Sequence, residues 1–391
     1  MQMSNIHQLS VLPGVAPEML RPTFWTARFR DLDLDEDWIR NFEFPAELNL
    51  GNYFTDIDNC LERLFNEDGA PLEPGNDATR VEYWERPEYG LIIEPGALKL
   101  LPRVEPLFSN HGESDLDRNQ LSGLDPGDPV ILFGKSRDGD WLLVISDAGT
   151  GWVKRDQVGI GSRKEIEDYY KDPDRLVAID SSPKLLTNDG LSEASMGCSF
   201  PLNDQLHQTV IIPCKNSRGN LTFKTGVVIG GTVRGHLPKT ARHLVQQAFK
   251  YLGWHYAWGD RDAEGNGRDC SRLVRDVLRS LGFRPPRNSR EQLAGGKKRI
   301  NMTGMNIPQR VARLKKASPG SLLFTSSHVM FLLGEYRGEV YAIHALNNYR
   351  RIVDNKEEPV KIKQVVVSGL SLGSGTDAGS LMEQITEVIE F

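Results

Sequence analysis

The spacing of apolar residues changes in stages along the chain. Through the first 85 residues they are scattered among Pro, Asp, Glu and aromatic side chains. Only short runs such as Trp38 to Phe42 and Ile57 to Phe65 look helical. No chemistry is legible there, so a packing or stabilising role is expected for residues 1–85. From about 86 to 160 short apolar runs take over: Pro129 to Phe133, Trp141 to Ile145 and Gly151 to Val153. The turn clusters Asp125-Pro126-Gly127-Asp128 and Arg137-Asp138-Gly139-Asp140 divide them. Strands this short and this regular predict a small β-barrel. A second all-β stretch, 161–235, has its clearest strands at Val210 to Pro213, Leu221 to Lys224 and Thr225 to Ile229. Its turns fall at Asn216 to Asn220 and Gly230-Gly231. Too few positions agree between the two stretches to read a repeat.

After Gly235 the spacing becomes helical. Thr240 fits an N-cap, Leu244, Val245, Ala248 and Phe249 form a stripe, and Gly253 is a natural stop. A second helix carries Leu273, Val274, Val277, Leu278 and Leu281 on one face and ends at Gly282. Cys270 opens that helix, three, four and seven residues before Leu273, Val274 and Val277, so it points to the packed side. Helix N-termini carry partial positive charge and open N–H groups, which favour a thiolate, the nucleophilic form of cysteine. Farther on, His328 opens the buried-strand pattern Val329 to Leu333. Gly334 to Gly338 reads as a five-residue loop, and Val340 to His344 as the return strand. A loop centred on Tyr336 sets His328 and His344 face to face, with Cβ atoms roughly 5 Å apart. His344 could then hold and polarise His328 for work on Cys270. The same cysteine and two histidines could instead hold zinc, and a Cys in a first helical turn is commonly just a small core residue.

Composition narrows the classes. A length of 391 residues predicts two to four domains. A net charge of -6 gives no reason to expect nucleic acid as a partner. No run of 18 apolar residues is present, so no membrane span is written. The opening MQMSNIHQLSVLPGV lacks a basic segment followed by an apolar one, as a secretory signal would have. A cytoplasmic location is therefore expected, or the cell envelope if a leader has been removed. Cys60, Cys198, Cys214 and Cys270 form no C-x-x-C pair. Cys198 and Cys214 could pair, but free thiols are the expectation.

Beyond spacing, the residues resemble the NlpC/P60 family. Tyr256-Ala257-Trp258-Gly259 is similar to its Y-x-W-G element, and Asp269-Cys270-Ser271 to its D-C-S core. Leu281-Gly282-Phe283, Pro286-Arg287-Asn288-Ser289 and Gln292 resemble the segment that follows. Pro319 to Phe324 resembles P-G-D-L-L-F, His328-Val329 the H-V element, and His344-Ala345 the last triad element. Upstream, Trp141 and Trp152 sit in an order that resembles a bacterial SH3 (SH3b) domain. They are either core residues or the lining of a ligand groove.

The resemblance implies a multidomain α+β chain. It has a loop-rich N-terminal region (1–85), two small SH3-like β-barrels (86–160 and 161–235) and a C-terminal papain-like NlpC/P60 α+β domain (236–391). It further implies a cysteine peptidase like the γ-D-glutamyl-L-diamino acid endopeptidases, acting on peptidoglycan stem peptides, with the first barrel walling one side of the site. Cys270 is then nucleophile, His328 base and His344 the orienting third member. The Cys270 N–H and Tyr256 become oxyanion donors; Asp269, Ser271 and Ser289 contact the L-Ala-γ-D-Glu part, and Trp258 shapes the pocket. Arg287 could meet a substrate carboxylate or form a structural ion pair. No metal or organic cofactor is implied, and a monomer is expected. Two departures stand out: Arg272, where many members have Gly, and Ser321 for the Asp of P-G-D. Neither reads as inactivating. The competing readings are a non-catalytic wall-binding SH3b protein and an amidase or acyltransferase on the same fold.

Overall fold

A computed structural model describes residues 9–39, 64–72, 81–110, 116–206, 208–262 and 265–391. Their contacts divide the chain into two units. The described residues of Met1–Asn41 group with His236–Asp260 and Gly265–Phe391; those of Phe42–Gly235 and Arg261–Glu264 form the second.

The second unit holds two seven-stranded antiparallel sheets. The first contains β1 (Val81–Ile92), β2 (Gly96–Lys99), β3 (Gln120–Leu124), β4 (Pro129–Ser136), β5 (Trp141–Ser146), β6 (Gly149–Lys154) and β7 (Val158–Gly161). Their order is β3-β2-β6-β5-β4-β1-β7. The next contains β8 (Arg175–Ala178), β9 (Lys184–Thr187), β10 (Gly190–Glu193), β11 (Ser199–Asp204), β12 (Thr209–Lys215), β13 (Leu221–Ile229) and β14 (Thr232–Arg234). Its order is β10-β9-β13-β12-β11-β8-β14. Strand for strand this is the same wiring, so the fold repeats where sequence similarity is too faint to show it. Two expected boundaries move. β1 begins at Val81, inside the expected N-terminal region, because Val81 to Tyr83 pair with Gly134 to Ser136 of β4. Leu221 to Ile229 is one strand rather than two: Leu221 to Val227 pair without a break against Thr209–Lys215, and Val227 to Ile229 pair with β9.

Side-chain alternation explains the burial. In the first sheet Val130, Leu132, Leu142, Val144 and Val153 enter one cluster. The neighbouring positions Phe133, Trp141, Leu143, Ile145 and Trp152 enter another. Trp141 and Trp152 are 6% and 2% exposed, so they are packing residues and line no open groove. The second sheet is apolar on one face, around Phe200, Val210 and Ile212; the alternate residues Phe223, Val227 and Ile229 are exposed. Helix α1 (Arg163–Lys171), begun by a Ser162–Glu165 capping box, follows the first sheet. Its Tyr169 hydroxyl donates to the Ile211 carbonyl at 3.1 Å.

The first unit is built on α2 (Ala241–Phe249), α3 (Cys270–Ser280), α4 (Ser289–Gly295) and a six-stranded antiparallel sheet. The strands are β15 (Lys298–Asn301), β16 (Leu322–Phe324), β17 (Val329–Tyr336), β18 (Glu339–Val353), β19 (Lys356–Gly369) and β20 (Glu387–Glu390), in the order β15-β20-β16-β17-β18-β19. The N-terminal segment is not a body of its own. Leu34 N–H donates to the Lys239 carbonyl at 2.7 Å. Trp38 packs edge-on against Phe283 and Phe391, and Tyr341 donates to the Gly14 carbonyl at 2.9 Å. The helices expected at Trp38 to Phe42 and Ile57 to Phe65 fall largely outside the described residues. Ile39 forms a bridge with Gly296, and Phe65 forms bridges with Pro71 and Phe108. Cys60 also lies outside them. Cys198 and Cys214 are free thiols; Cys214 lies 3.2 Å from the Thr222 hydroxyl.

Trp152→Ala should destabilise the protein by about 3–5 kcal/mol, the range for emptying a buried aromatic site. A matching drop in the urea midpoint, followed by tryptophan fluorescence and far-UV dichroism, would check this.

Candidate active site

Asp269 is the N-cap of α3. Its carboxylate accepts from the Arg272 N–H at 2.9 Å, satisfying a donor the first turn leaves open. Cys270 is the first helical residue and is 9% exposed. α3 packs against β17 and β18, which brings the sulfur to the start of β17, where the Val329 N–H is turned toward it. Val329 directly follows His328. One helix start and one strand start therefore bring Cys270 and His328 together.

The two histidines meet, but not as the sequence predicts. The turn is the two-residue Arg337-Gly338, both with positive φ (52° and 91°), closed by Tyr336 opposite Glu339. Leu332 pairs with Ala342 while Gly334 pairs with Tyr341, leaving Leu333 as an extra residue. Without this bulge the register at the turn would set His344 opposite Phe331 and send His328 to the other face. With it, Phe331 pairs with Ile343, so His344 comes opposite Met330 and His328 lies two residues on, on the same face. The rings are thus diagonal neighbours rather than facing ones. His328 Nε2 and His344 Nδ1 are 2.7 Å apart. On the far side His344 Nε2 is 2.9 Å from the Ser368 hydroxyl. Two imidazole nitrogens sharing a tetrahedral zinc would stand roughly 3.3 Å apart. These rings are hydrogen-bonded to each other instead, which speaks against the zinc reading.

Charge is concentrated directly behind the sulfur. Arg287 donates to Asp269 (Nη2 to Oδ2, 2.6 Å), to Asp260 (3.1 Å) and to the Ser271 hydroxyl (2.8 Å). Arg272 donates to Asp260 (3.0 Å) and, through Nε, to Asp276 (2.6 Å). Arg268 and the Tyr251 hydroxyl also donate to Asp276, at 2.6 and 2.9 Å. All six charged groups are buried. Arg272, where a glycine is common in the resembled family, is thus an interior link between two carboxylates. Arg287 is a structural partner of Asp269, the second of the two roles expected for it.

The pKa shifts revise the expected activation. Burial pushes the Cys270 thiol up, and the Asp269 carboxylate beside it adds to this, to about 12. Burial pushes His328 down to about 4 and His344 well below its ordinary value. Burial alone would raise Asp269, but Arg287 and the Arg272 and Gly259 N–H groups hold it below the usual carboxylate range. The helix start therefore does not leave a free thiolate: burial opposes it most, and the ionised N-cap beside the sulfur adds to that. The resting pair is a neutral thiol and a neutral imidazole.

The remaining expected residues surround this core. Tyr256 is buried in the stretch before α3, with its N–H on the Lys363 carbonyl at 2.8 Å. Trp258 is partly exposed and begins a short 3-10 turn ending at Asp260, whose φ is 80°. Ser271 is buried against Arg287. Ser289 is partly exposed and opens α4. Gln292 ties α4 to α3 by donating to the Ser271 carbonyl at 3.0 Å. Sequence reasoning missed Ser368 and Asp276. Ser368 follows the run Val365-Val366-Val367, and only its polarity among apolar neighbours marks it.

Residues 253–368 match the model of the NlpC/P60 family, and residues 106–154 that of an SH3 domain of the SH3b1 type. The SH3 match falls within the first of the two seven-stranded sheets. Among solved structures the chain is similar to an NlpC/P60 endopeptidase from Photobacterium damselae subsp. piscicida, at 18% identity and a TM-score of 0.74, covering 87% of this chain and 84% of that one. It is also similar to an NlpC/P60 family protein from Bacillus cereus ATCC 10987, at 16% identity and a TM-score of 0.52, covering 78% and 99%. Identities this low establish the fold alone. A comparison with curated proteins found no match.

Two outcomes follow. Alkylation of Cys270 by iodoacetamide should keep climbing with pH through and above neutrality, because the thiol ionises late; a rate already level at about pH 6 would contradict the neutral pair. Asp276→Ala should cost about 3–5 kcal/mol of stability by removing the carboxylate that Arg268 and Arg272 share, leaving Arg272 with Asp260 alone, read from urea unfolding.

Proposed function

Because the chain carries an NlpC/P60 domain together with an SH3 domain, we propose that it is a cysteine peptidase of cell-wall peptides that hydrolyses the γ-D-Glu to diamino acid bond of peptidoglycan stem peptides. The domain supports a cell-wall peptidase in general terms; the bond and its diamino acid are the proposal. The observation that carries it is the line Cys270, His328, His344. The sulfur lies at a helix start beside Val329, and the base is hydrogen-bonded at 2.7 Å to a second buried imidazole.

Starting from a neutral pair, proton transfer and attack go together. His328 takes the Cys270 proton as the sulfur adds to the γ-carbonyl carbon. His328 becomes an imidazolium, with Nε2–H donating to His344. The negative oxygen of the tetrahedral intermediate is within the province of the Cys270 N–H, with Tyr256 as a second donor. His328 then returns the proton to the leaving amine of the diamino acid, leaving a thioester on Cys270. Water, deprotonated by His328, hydrolyses it and restores the thiol. Asp269, Ser271, Ser289 and Trp258 are proposed to shape the L-Ala-γ-D-Glu site. Asp269 and Ser271 do so as a pair fixed by Arg287.

A wall-binding protein without activity would have no need of a connected Cys-His-His line. An amidase or acyltransferase would use the same line, and its products would differ. Incubation of the purified chain with L-Ala-γ-D-Glu-diaminopimelate should release free diaminopimelate and the dipeptide. Cys270→Ala should lower turnover about a thousandfold or more. Wild-type chain that leaves the peptide intact, or a Cys270→Ala variant as fast as wild type, would overturn the reading.

A further inference from the structure

Behind the two histidines stands a third polar group that the proposed mechanism leaves idle. Ser368 is fully buried on β19. His344 pairs with Val366 across β18 and β19, and Ser368 is two residues farther along, on the same face. Its hydroxyl oxygen is 2.9 Å from His344 Nε2. Because Nδ1 of His344 is engaged by His328 at 2.7 Å, both ring nitrogens of this fully buried imidazole are occupied.

A neutral imidazole has one N–H and one lone pair, so its two hydrogen bonds must run in opposite senses. The sense is fixed when His328 is charged. An imidazolium donates from both nitrogens, so His328 Nε2–H must point at His344, and His344 Nδ1 must be bare. The hydrogen of His344 is then on Nε2 and needs an acceptor. The Ser368 oxygen is the group placed to accept it. In the reverse arrangement Ser368 would donate, His344 would present Nδ1–H to His328, and the hydrogen of His328 would sit on Nδ1, the nitrogen left for Cys270. That form cannot take a proton from the thiol. We propose that Ser368 is a positioning residue that holds the ring hydrogen of His344 on Nε2, and thereby keeps Nδ1 of His328 bare toward Cys270.

The assignment of His328 as base rests on the peptidase reading, and so does the argument for the direction of the chain His328–His344–Ser368; the direction itself is read independently of cleavage. The two are tested apart. Nitrogen-15 NMR of the full chain, with histidine labelled, reports which ring nitrogen of His344 carries hydrogen. Nε2–H is expected in the wild type, and a shift toward the Nδ1–H form in Ser368→Ala. The same variant should lose roughly tenfold or more in kcat on the stem peptide, as expected when a catalytic imidazole is left in the wrong tautomer, with KM little changed and the thermal midpoint within a few degrees of wild type. His344 carrying its hydrogen on Nδ1 in the wild type would overturn the proposal, as would a Ser368→Ala variant with unaltered His344 resonances and unaltered kcat. If the wild type fails to cleave the peptide while His344 shows the expected form and shift, the peptidase reading falls and the role of Ser368 stands.

Discussion

A hydrogen bond between the imidazoles of His328 and His344 requires both rings on the same face of a sheet, and one surplus residue in β17 meets that requirement. Strand geometry alternates faces at every residue, so an error of one in the pairing would part His328 from His344 completely. Leu333 absorbs that error. The tight Arg337-Gly338 turn sets one register at the hairpin end, and the bulge converts it to another at the site. The contact of His328 with His344 depends on this conversion. The cost is one unpaired residue in the ladder, placed between the turn and the chemistry.

The second organising feature is the run of buried charges behind Cys270. Three guanidinium groups and three carboxylates alternate from Arg268 through Asp276, Arg272, Asp260 and Arg287 to Asp269. Interior charges are costly unless each meets an opposite one, and here each does. The chain of pairs fixes the turn before α3 and the N-cap at once. It also ends on a negative group beside the Cys270 sulfur, which adds to the burial that pushes the thiol up.

Much of this was legible in the residues. Apolar spacing located α2 and α3, and Gly282, at φ 87°, ended the second of them as glycine does where a left-handed conformation is required. The Cys270, His328 and His344 set was proposed from a helix start and a hairpin pattern, and the structure places the two histidine rings in contact. The hairpin register was not. Arg337 is an unusual residue for a two-residue turn with positive φ, so the sequence suggested a longer loop. Gly334, inside the strand, was the available sign of a bulge. Ser368 and Asp276 escaped because a single hydroxyl or carboxylate in an apolar run says nothing of which distant side chain it will meet. Leu221 to Ile229 was divided because its composition changes at Lys224-Thr225, while the pairing with β12 does not.

The matched wiring of the two seven-stranded sheets shows how little of a backbone plan has to be written in side chains. In the first, both sets of alternating residues around Leu142, Leu143, Trp152 and Val153 are hidden from water. In the second, Phe223, Val227 and Ile229 on β13, with Leu186 and Leu191 beside them, meet solvent. A polar replacement at Trp152 would enter a dry interior, and one at Val227 would simply be hydrated. One topology therefore sets different demands on its alternate positions in the two sheets.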